Sequence, residues 1–196
     1  MITRRLFDVA VGGVTLVVLS PLLGAAAAAI KLEDGATVLY RQTRVGKDGV
    51  DFELLKLRTM VVGAETMGAG YAVNSGDSRI TRTGRILRRL SIDELPQLWN
   101  VIRGDMSVIG PRPTLRYQVD AYDERQLHRL DVKPGITGWA QIHGRTQLPW
   151  ADRIELDLWY VEHHSPEVDL RILLRTPLAL FGGTYKGETG GWKPSG

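Results

Sequence analysis

The chain has 196 residues, 43% of them hydrophobic, with no cysteine and a formal net charge of +3. That is enough for one packed domain with an appendage. The lack of cysteine excludes a disulfide framework, a thiolate metal site and a cysteine nucleophile, and permits a reducing cytoplasmic location. Nineteen of the twenty-five cations are arginine, the side chain that grips phosphate with a planar two-pronged fork and packs at lipid headgroups.

From Val9 to Ile30, twenty-two residues carry no charge. A continuous helix of that length extends about 33 Å, enough to cross a bilayer core. Three readings compete. Arg4 and Arg5 before an apolar run that ends in alanines resemble a secretory signal peptide, although Asp8 fits that poorly. A spanning helix is the second, but cations lie at both ends, Arg4 and Arg5 on one side and Lys31, Arg41, Arg44 and Lys47 on the other, so charge does not orient it. The third is a segment that dips into the membrane and returns. Pro21 removes a backbone hydrogen bond mid-segment, Ser20 can satisfy a freed carbonyl, and each arm would be roughly 15 Å long. Composition alone leaves spanning and re-entrant readings open.

Beyond it, Thr37 to Arg41 and Asp51 to Leu57 flank Val45-Gly46-Lys47-Asp48-Gly49 and predict a short hairpin. Val62 to Gly76 contains four glycines and no strong period, which predicts a mobile loop. The chain has neither a Walker A sequence nor a GxGxxG fingerprint, which argues against a P-loop or Rossmann nucleotide site.

Arg79, Arg82, Arg85, Arg88 and Arg89 recur at helical intervals and predict a ladder of cations along one side of a helix. Ser91 then fits an N-cap, with Glu94 completing a capping box before Leu95, Leu98, Trp99 and Ile102. Asp93 and Glu94 would lie in that helix's first turn, where carboxylates suit the dipole. Pro96 lacks an N–H and can move the boundary a residue or two later. On this local pattern alone, a helix cap and a catalytic carboxylate pair both account for Asp93 and Glu94.

Further on, Leu115, Val119, Tyr122, Leu127 and Leu130 are compatible with an amphipathic helix over Thr114 to Leu130, with His128 at the surface or in the core. Pro134-Gly135 opens a loop through Trp139 to Arg145. Trp150 to Glu162 and Leu170 to Phe181 predict two further helices, the second broken near Pro177. Trp150, Trp159, Tyr160 and Phe181 fit either the core or a membrane headgroup layer. His163 and His164 form no zinc constellation with the other two histidines.

Asp93-Glu94-Leu95-Pro96-Gln97-Leu98-Trp99-Asn100, then Gly104-Asp105-Met106-Ser107 and Val108-Ile109-Gly110-Pro111-Arg112-Pro113, closely resembles the signature of the bacterial sugar transferases known as monotopic phosphoglycosyl transferases. The resemblance covers nearly the whole chain, from Arg4-Arg5-Leu6-Phe7-Asp8 through Pro134-Gly135-Ile136-Thr137-Gly138-Trp139-Ala140-Gln141 to Asp169-Leu170-Arg171-Ile172-Leu173. It implies that Asp93 is a nucleophile forming an acyl phosphate and that Ser20-Pro21 is the break of a re-entrant helix. Lys56 and Arg58, in Lys-Leu-Arg-Thr-Met, match a motif near the active site. Arg145 would meet the donor's pyrophosphate or base. The implied reaction passes a sugar phosphate from a UDP-sugar to polyprenyl (undecaprenyl) phosphate, releases UMP and opens bacterial glycoconjugate assembly at the cytoplasmic face of the inner membrane.

Such a transfer brings two polyanions together, so the arginine ladder, Arg112 and a divalent metal would supply the neutralising charge, with Arg88 and Arg112 as phosphate clamps. Magnesium suits a chain that offers carboxylates and no soft ligands, with Asp93 as a metal ligand and Glu94 positioning metal or acceptor. The expected architecture is mainly α with a short β-hairpin. A re-entrant anchor spans 1–32, a compact cytoplasmic catalytic domain with amphipathic interfacial helices spans 33–182, and a flexible tail spans 183–196. Membrane lipids are expected partners, a homodimer is compatible with the reading, and the sugar is left open. A rival from another class is a non-catalytic peripheral membrane protein with an anionic-lipid patch. Nucleic-acid binding is more distant, since arginines without a recognised nucleic-acid fold are a weak signal.

Overall fold

A computed structural model describes residues 2–67, 76–144 and 148–181 of the chain. It is mainly helical, and the element order is α1 (Ile2–Val18), α2 (Ser20–Asp34), β1 (Leu39–Val45), β2 (Asp51–Leu57), α3 (Arg82–Arg89), α4 (Gln97–Arg103), β3 (Ser107–Ile109), α5 (Arg116–Val119), α6 (Glu124–Leu127), β4 (Gly135–Thr137), α7 (Trp139–Ile142), α8 (Trp150–His163) and α9 (Pro166–Phe181).

The N-terminal helices meet at a bend of 58°, and no single helix among the described residues is long and apolar enough to cross a membrane. The bend falls where the sequence places a break. Pro21 occupies the first turn of α2, where its missing N–H is no loss, and the Ser20 hydroxyl donates to the Val17 carbonyl at 2.8 Å. α2 runs to Asp34, slightly past the expected anchor boundary, and stops at Gly35, which is left-handed at φ 71°.

Both ends of this bent pair are held by one body. In α1, Arg5 donates to the carbonyls of Val101 and Ile102, each at 2.5 Å, Arg4 donates to the Ile109 carbonyl and the Tyr160 hydroxyl, and buried Asp8 accepts from the Ser107 hydroxyl and the Val108 N–H, both at 2.9 Å. At the end of α2, Glu33 accepts from the N–H groups of Arg82 and Thr83, and Asp34 pairs with Arg58. Between those ends, Leu6, Val14, Val17, Val18 and Leu32 remain exposed.

The main core joins Leu54, Val101, Met106, Val108, Ile109, Tyr160 and Ile172. A second cluster packs Ala26 and Ile30 of α2 against Leu57 and Leu87, with Ile92 alongside. The hairpin pairs Leu39 with Leu57 and Val45 with Asp51, so its first strand begins and ends later than expected and its turn is shorter. Asn100, fully buried, docks α4 on β2: its amide accepts from the Leu55 N–H and donates to the Glu53 carbonyl.

Several elements depart from the sequence reading. Residues 114–130 form no continuous helix, because Asp123 starts a fresh one, accepting from the Gln126 N–H at 2.7 Å, and Arg129 in the following 3-10 turn is drawn inward. α9 starts at Pro166 and runs unbroken through Pro177, which leaves only the Leu173 carbonyl without its helical N–H partner. β3 and β4 form a parallel pair the periodicity did not signal, being only three residues each. Tyr160 is core, Trp159 stacks between Trp139 and His163, and Trp150 lies beside the Arg129 and Arg153 guanidiniums. The side chain of Phe181 and residues 68–75, 145–147 and 182–196 lie outside the described set; Arg145, the centre of the expected glycine-rich loop and the expected tail are among them.

Candidate active site

Asp93 and Glu94 occupy a 3-10 turn, Ile92–Glu94, between α3 and α4. Pro96 dictates this. In an α-helix the Ile92 carbonyl would accept from residue 96, which has no N–H; instead the Leu95 N–H takes it at 3.2 Å, and the α-helix starts at Gln97. Ser91 is therefore not an N-cap. It is left-handed at φ 55° with no side-chain cap bond, a sparsely populated conformation of the kind that gathers at functional sites.

Asp93 is 8% exposed. Among the described residues no donor binds its carboxylate. Burial, and then the charge of Glu94, push its pKa above the usual carboxylate range, while Lys56, Arg88 and Arg112 pull it back. Glu94 is the hub of a cation cluster: its Oε1 accepts from Lys56 Nζ at 3.2 Å and from Arg112 Nη2 at 2.5 Å, and its Oε2 meets Arg112 Nη1 at 3.3 Å. Burial lowers the Lys56 pKa against the support of Glu94.

The cations arrive from three directions. Lys56 ends β2. Arg88 is carried by α3, which comes close to the chain after β2: a Cβ on Gly84 would lie 2.1 Å from the Thr59 carbonyl oxygen, so only glycine permits this approach. At that contact Arg88 Nε donates to Thr59 Oγ1 at 2.7 Å. Arg112 stands on the Gly110-Pro111-Arg112-Pro113 turn, which lies against Pro134–Gly138; a Cβ on Gly135 would lie 2.1 Å from the Gly110 nitrogen.

Arg58, an expected site residue, and Arg79, an expected member of the arginine ladder, sit elsewhere. Arg58 directs its guanidinium at both oxygens of Asp34 (2.6 and 2.5 Å) and the carbonyls of Thr37 and Met60, so it ties the end of α2 to β2. Arg79 leaves the ladder: it precedes α3, is buried, pairs with Asp77 and donates to the carbonyls of Ala64 and Met67. Of the ladder, Arg82, Arg85 and Arg89 are exposed and Arg88 is half-buried. Sequence reasoning missed Asn100, Arg129 and Asp157. Asn100 stood within a quoted motif without a role, and the other two carried no local pattern.

The donor set suits magnesium only in part. Asp93 offers an unengaged carboxylate, Glu94 is already shared by two cations, and no cluster of three His, Cys, Asp or Glu able to hold a metal occurs among the described residues. That fits an ion held by one or two carboxylates and completed by substrate phosphate oxygens.

Comparison with known proteins gives the family. The family model for bacterial sugar transferases matches residues 1–183. The sugar transferase EpsL of Bacillus subtilis is 44% identical over 90% of this chain and 86% of its own length. The UDP-glucose:undecaprenyl-phosphate glucose-1-phosphate transferase of Caulobacter vibrioides is 44% identical over 91% of this chain and 69% of its own. The exopolysaccharide production protein ExoY of Rhizobium meliloti is 38% identical over 93% and 88%. The buried carboxylate ringed by cations thus lies in a chain that belongs to the bacterial sugar transferase family and is a transferase.

Proposed function

We propose that this protein transfers a sugar 1-phosphate from a UDP-sugar to undecaprenyl phosphate, releasing UMP, through a covalent intermediate on Asp93. The observation that carries the reading is the Asp93 carboxylate, buried and unbonded among the described residues, inside the field of Lys56, Arg88 and Arg112. Relatives named for this reaction with glucose and N-acetylgalactosamine support the donor and acceptor classes.

An Asp93 oxygen attacks the phosphorus that bears the sugar, the bond from that phosphorus to the bridging oxygen breaks, and UMP departs with that oxygen. An oxygen of the lipid phosphate then attacks the same phosphorus, giving the lipid diphosphosugar and restoring the carboxylate. Lys56, Arg88 and Arg112 neutralise charge on the phosphoryl oxygens, while Glu94 holds Lys56 and Arg112 in place. Asp93 would hold a magnesium ion, which when bound would supply further charge neutralisation. Arg58 serves the fold rather than the phosphates.

The bent α1–α2 pair acts as a re-entrant anchor in the cytoplasmic membrane, with the catalytic body on the cytoplasmic face. Tethers from Arg4, Arg5 and Asp8 at one end and from Glu33 and Asp34 at the other reach the same body, which favours both ends on one side. Exposed Leu170, Leu174 and Leu178 recur every four residues along α9, and with Ile86, Leu90 and Trp99 they offer apolar surface to lipid. Magnesium-dependent UMP release from a panel of UDP-sugars with polyprenyl phosphate tests the reading; a folded protein inactive with every donor would refute it.

A further inference from the structure

Among the described residues Arg129 directs four hydrogen bonds, and all of them point inward. It lies in the 3-10 turn His128–Leu130 with its side chain 4% exposed. Nε donates to Asp157 Oδ2 at 2.7 Å, Nη1 to the hydroxyls of Tyr122 at 2.9 Å and Thr114 at 3.3 Å, and Nη2 to the Arg112 carbonyl at 2.7 Å. Asp157 is equally buried on α8, and its Oδ1 has no hydrogen-bond partner. A pair this deep gives up the hydration of two charges, so stability alone is a weak reason for its presence.

The contact with Arg112 supplies a stronger one. Four successive carbonyls along the turn are held by three distant parts of the chain: Pro111 by the Gly135 N–H at 2.8 Å, Arg112 by Arg129, and Pro113 and Thr114 by the end of β1, through Arg44 Nη1 at 3.2 Å and the Val45 N–H at 3.0 Å. Pro111 and Pro113 add fixed φ angles on either side of Arg112. Its backbone is thus pinned from within while its guanidinium turns out to Glu94.

We infer that Arg129, braced by Asp157 and Tyr122, is a positioning residue for phosphoryl transfer that acts through Arg112. This rests on the proposed transferase reaction. Lysine at 129 keeps the charge beside Asp157 but cannot serve four acceptors in a fixed plane.

The test is a double-mutant cycle on the full chain in detergent, with radiolabelled UDP-sugar so that slow UMP release is measurable. The proteins are wild type, Arg129→Lys, Arg112→Ala and the double variant, with kcat, donor KM and thermal midpoint for each. Arg129→Lys is expected to lower kcat about tenfold in the wild-type background and less than roughly twofold when Arg112 is already alanine. An equal loss in both backgrounds, or no loss in the first, overturns the proposal while leaving the reaction standing. A wild type that releases no UMP overturns the reaction and this inference with it. Should Arg129→Lys not fold, Tyr122→Phe, which removes one acceptor, takes its place: a fall of about threefold that vanishes in the Arg112→Ala background supports the role, and any other pattern refutes it.

Discussion

Arg112 and Glu94 form a two-pronged contact, at 2.5 and 3.3 Å, that joins the proline-flanked turn to the carboxylate pair. A planar fork is what that geometry uses. Arg112→Lys therefore keeps the charge and loses the second prong, and kcat for UMP release is expected to fall about tenfold, roughly 1.4 kcal/mol of transition-state stabilisation. Arg88→Lys should behave alike. Unchanged rates in both would return these residues to the role of membrane-surface charges.

Asp93→Asn separates chemistry from stability. The variant should abolish turnover and the sugar-phosphate adduct measured by mass spectrometry. The sign for stability is the opposite of a loss: the folded pKa of Asp93 is raised, so its contribution is most favourable below the unfolded pKa and is lost as pH rises through the folded one. At neutral pH the ionised group costs stability, and the neutral amide removes that cost. The thermal midpoint at pH 7 should equal or exceed wild type; a clear drop would mean the carboxylate is a structural acceptor.

Asp77→Asn should show the reverse sign. Hydrogen bonds from Arg79 hold the Asp77 pKa down at about 2. With an unfolded pKa of about 3.9, its stabilisation is complete above roughly pH 4 and lost as pH falls through the folded value. The variant's melting deficit at pH 7 should shrink between about pH 4 and 2. A deficit constant over that range would assign the loss to packing.

The bent anchor predicts a labelling pattern. Cysteines introduced at Thr3 and at Thr37 should both react only from the cytoplasmic side, and labelling from opposite sides would defeat the re-entrant reading. Replacing Ser20 with alanine and Pro21 with leucine removes the break, and the resulting continuous helix of apolar residues is long enough to span.

Gly84→Ala tests how Arg88 reaches the site. The added methyl would lie 2.1 Å from the Thr59 carbonyl oxygen, so α3 must move off the chain that follows β2. A cost of about 1–3 kcal/mol and a fall in kcat at temperatures where the variant is still folded are expected. Full activity in a folded variant would show that the position of α3 does not matter to the chemistry.

Local rules reached the elements whose causes are local. Pro21 with Ser20 marked the bend, the Gly46–Gly49 region marked a hairpin turn, and Pro96 signalled a delayed start for α4. The motif around Asp93 and Glu94 was legible as a family signature, and the family model bears out that membership. What sequence alone could not supply was the use of charge at long range. Arg79, Arg82, Arg85, Arg88 and Arg89 look equivalent along the chain, yet Asp77 and two carbonyls take Arg79 inward while the close approach at Gly84 brings Arg88 beside Thr59. Arg58 follows Lys56 by two residues, but Asp34, distant in the chain, claims it. Arg129 and Asp157 carry no motif at all, and their pairing exists only because α8 packs against the His128–Leu130 turn. A charged side chain's role is set by which counter-charge or carbonyl lies within about 3 Å when water is excluded, and tertiary packing alone decides that.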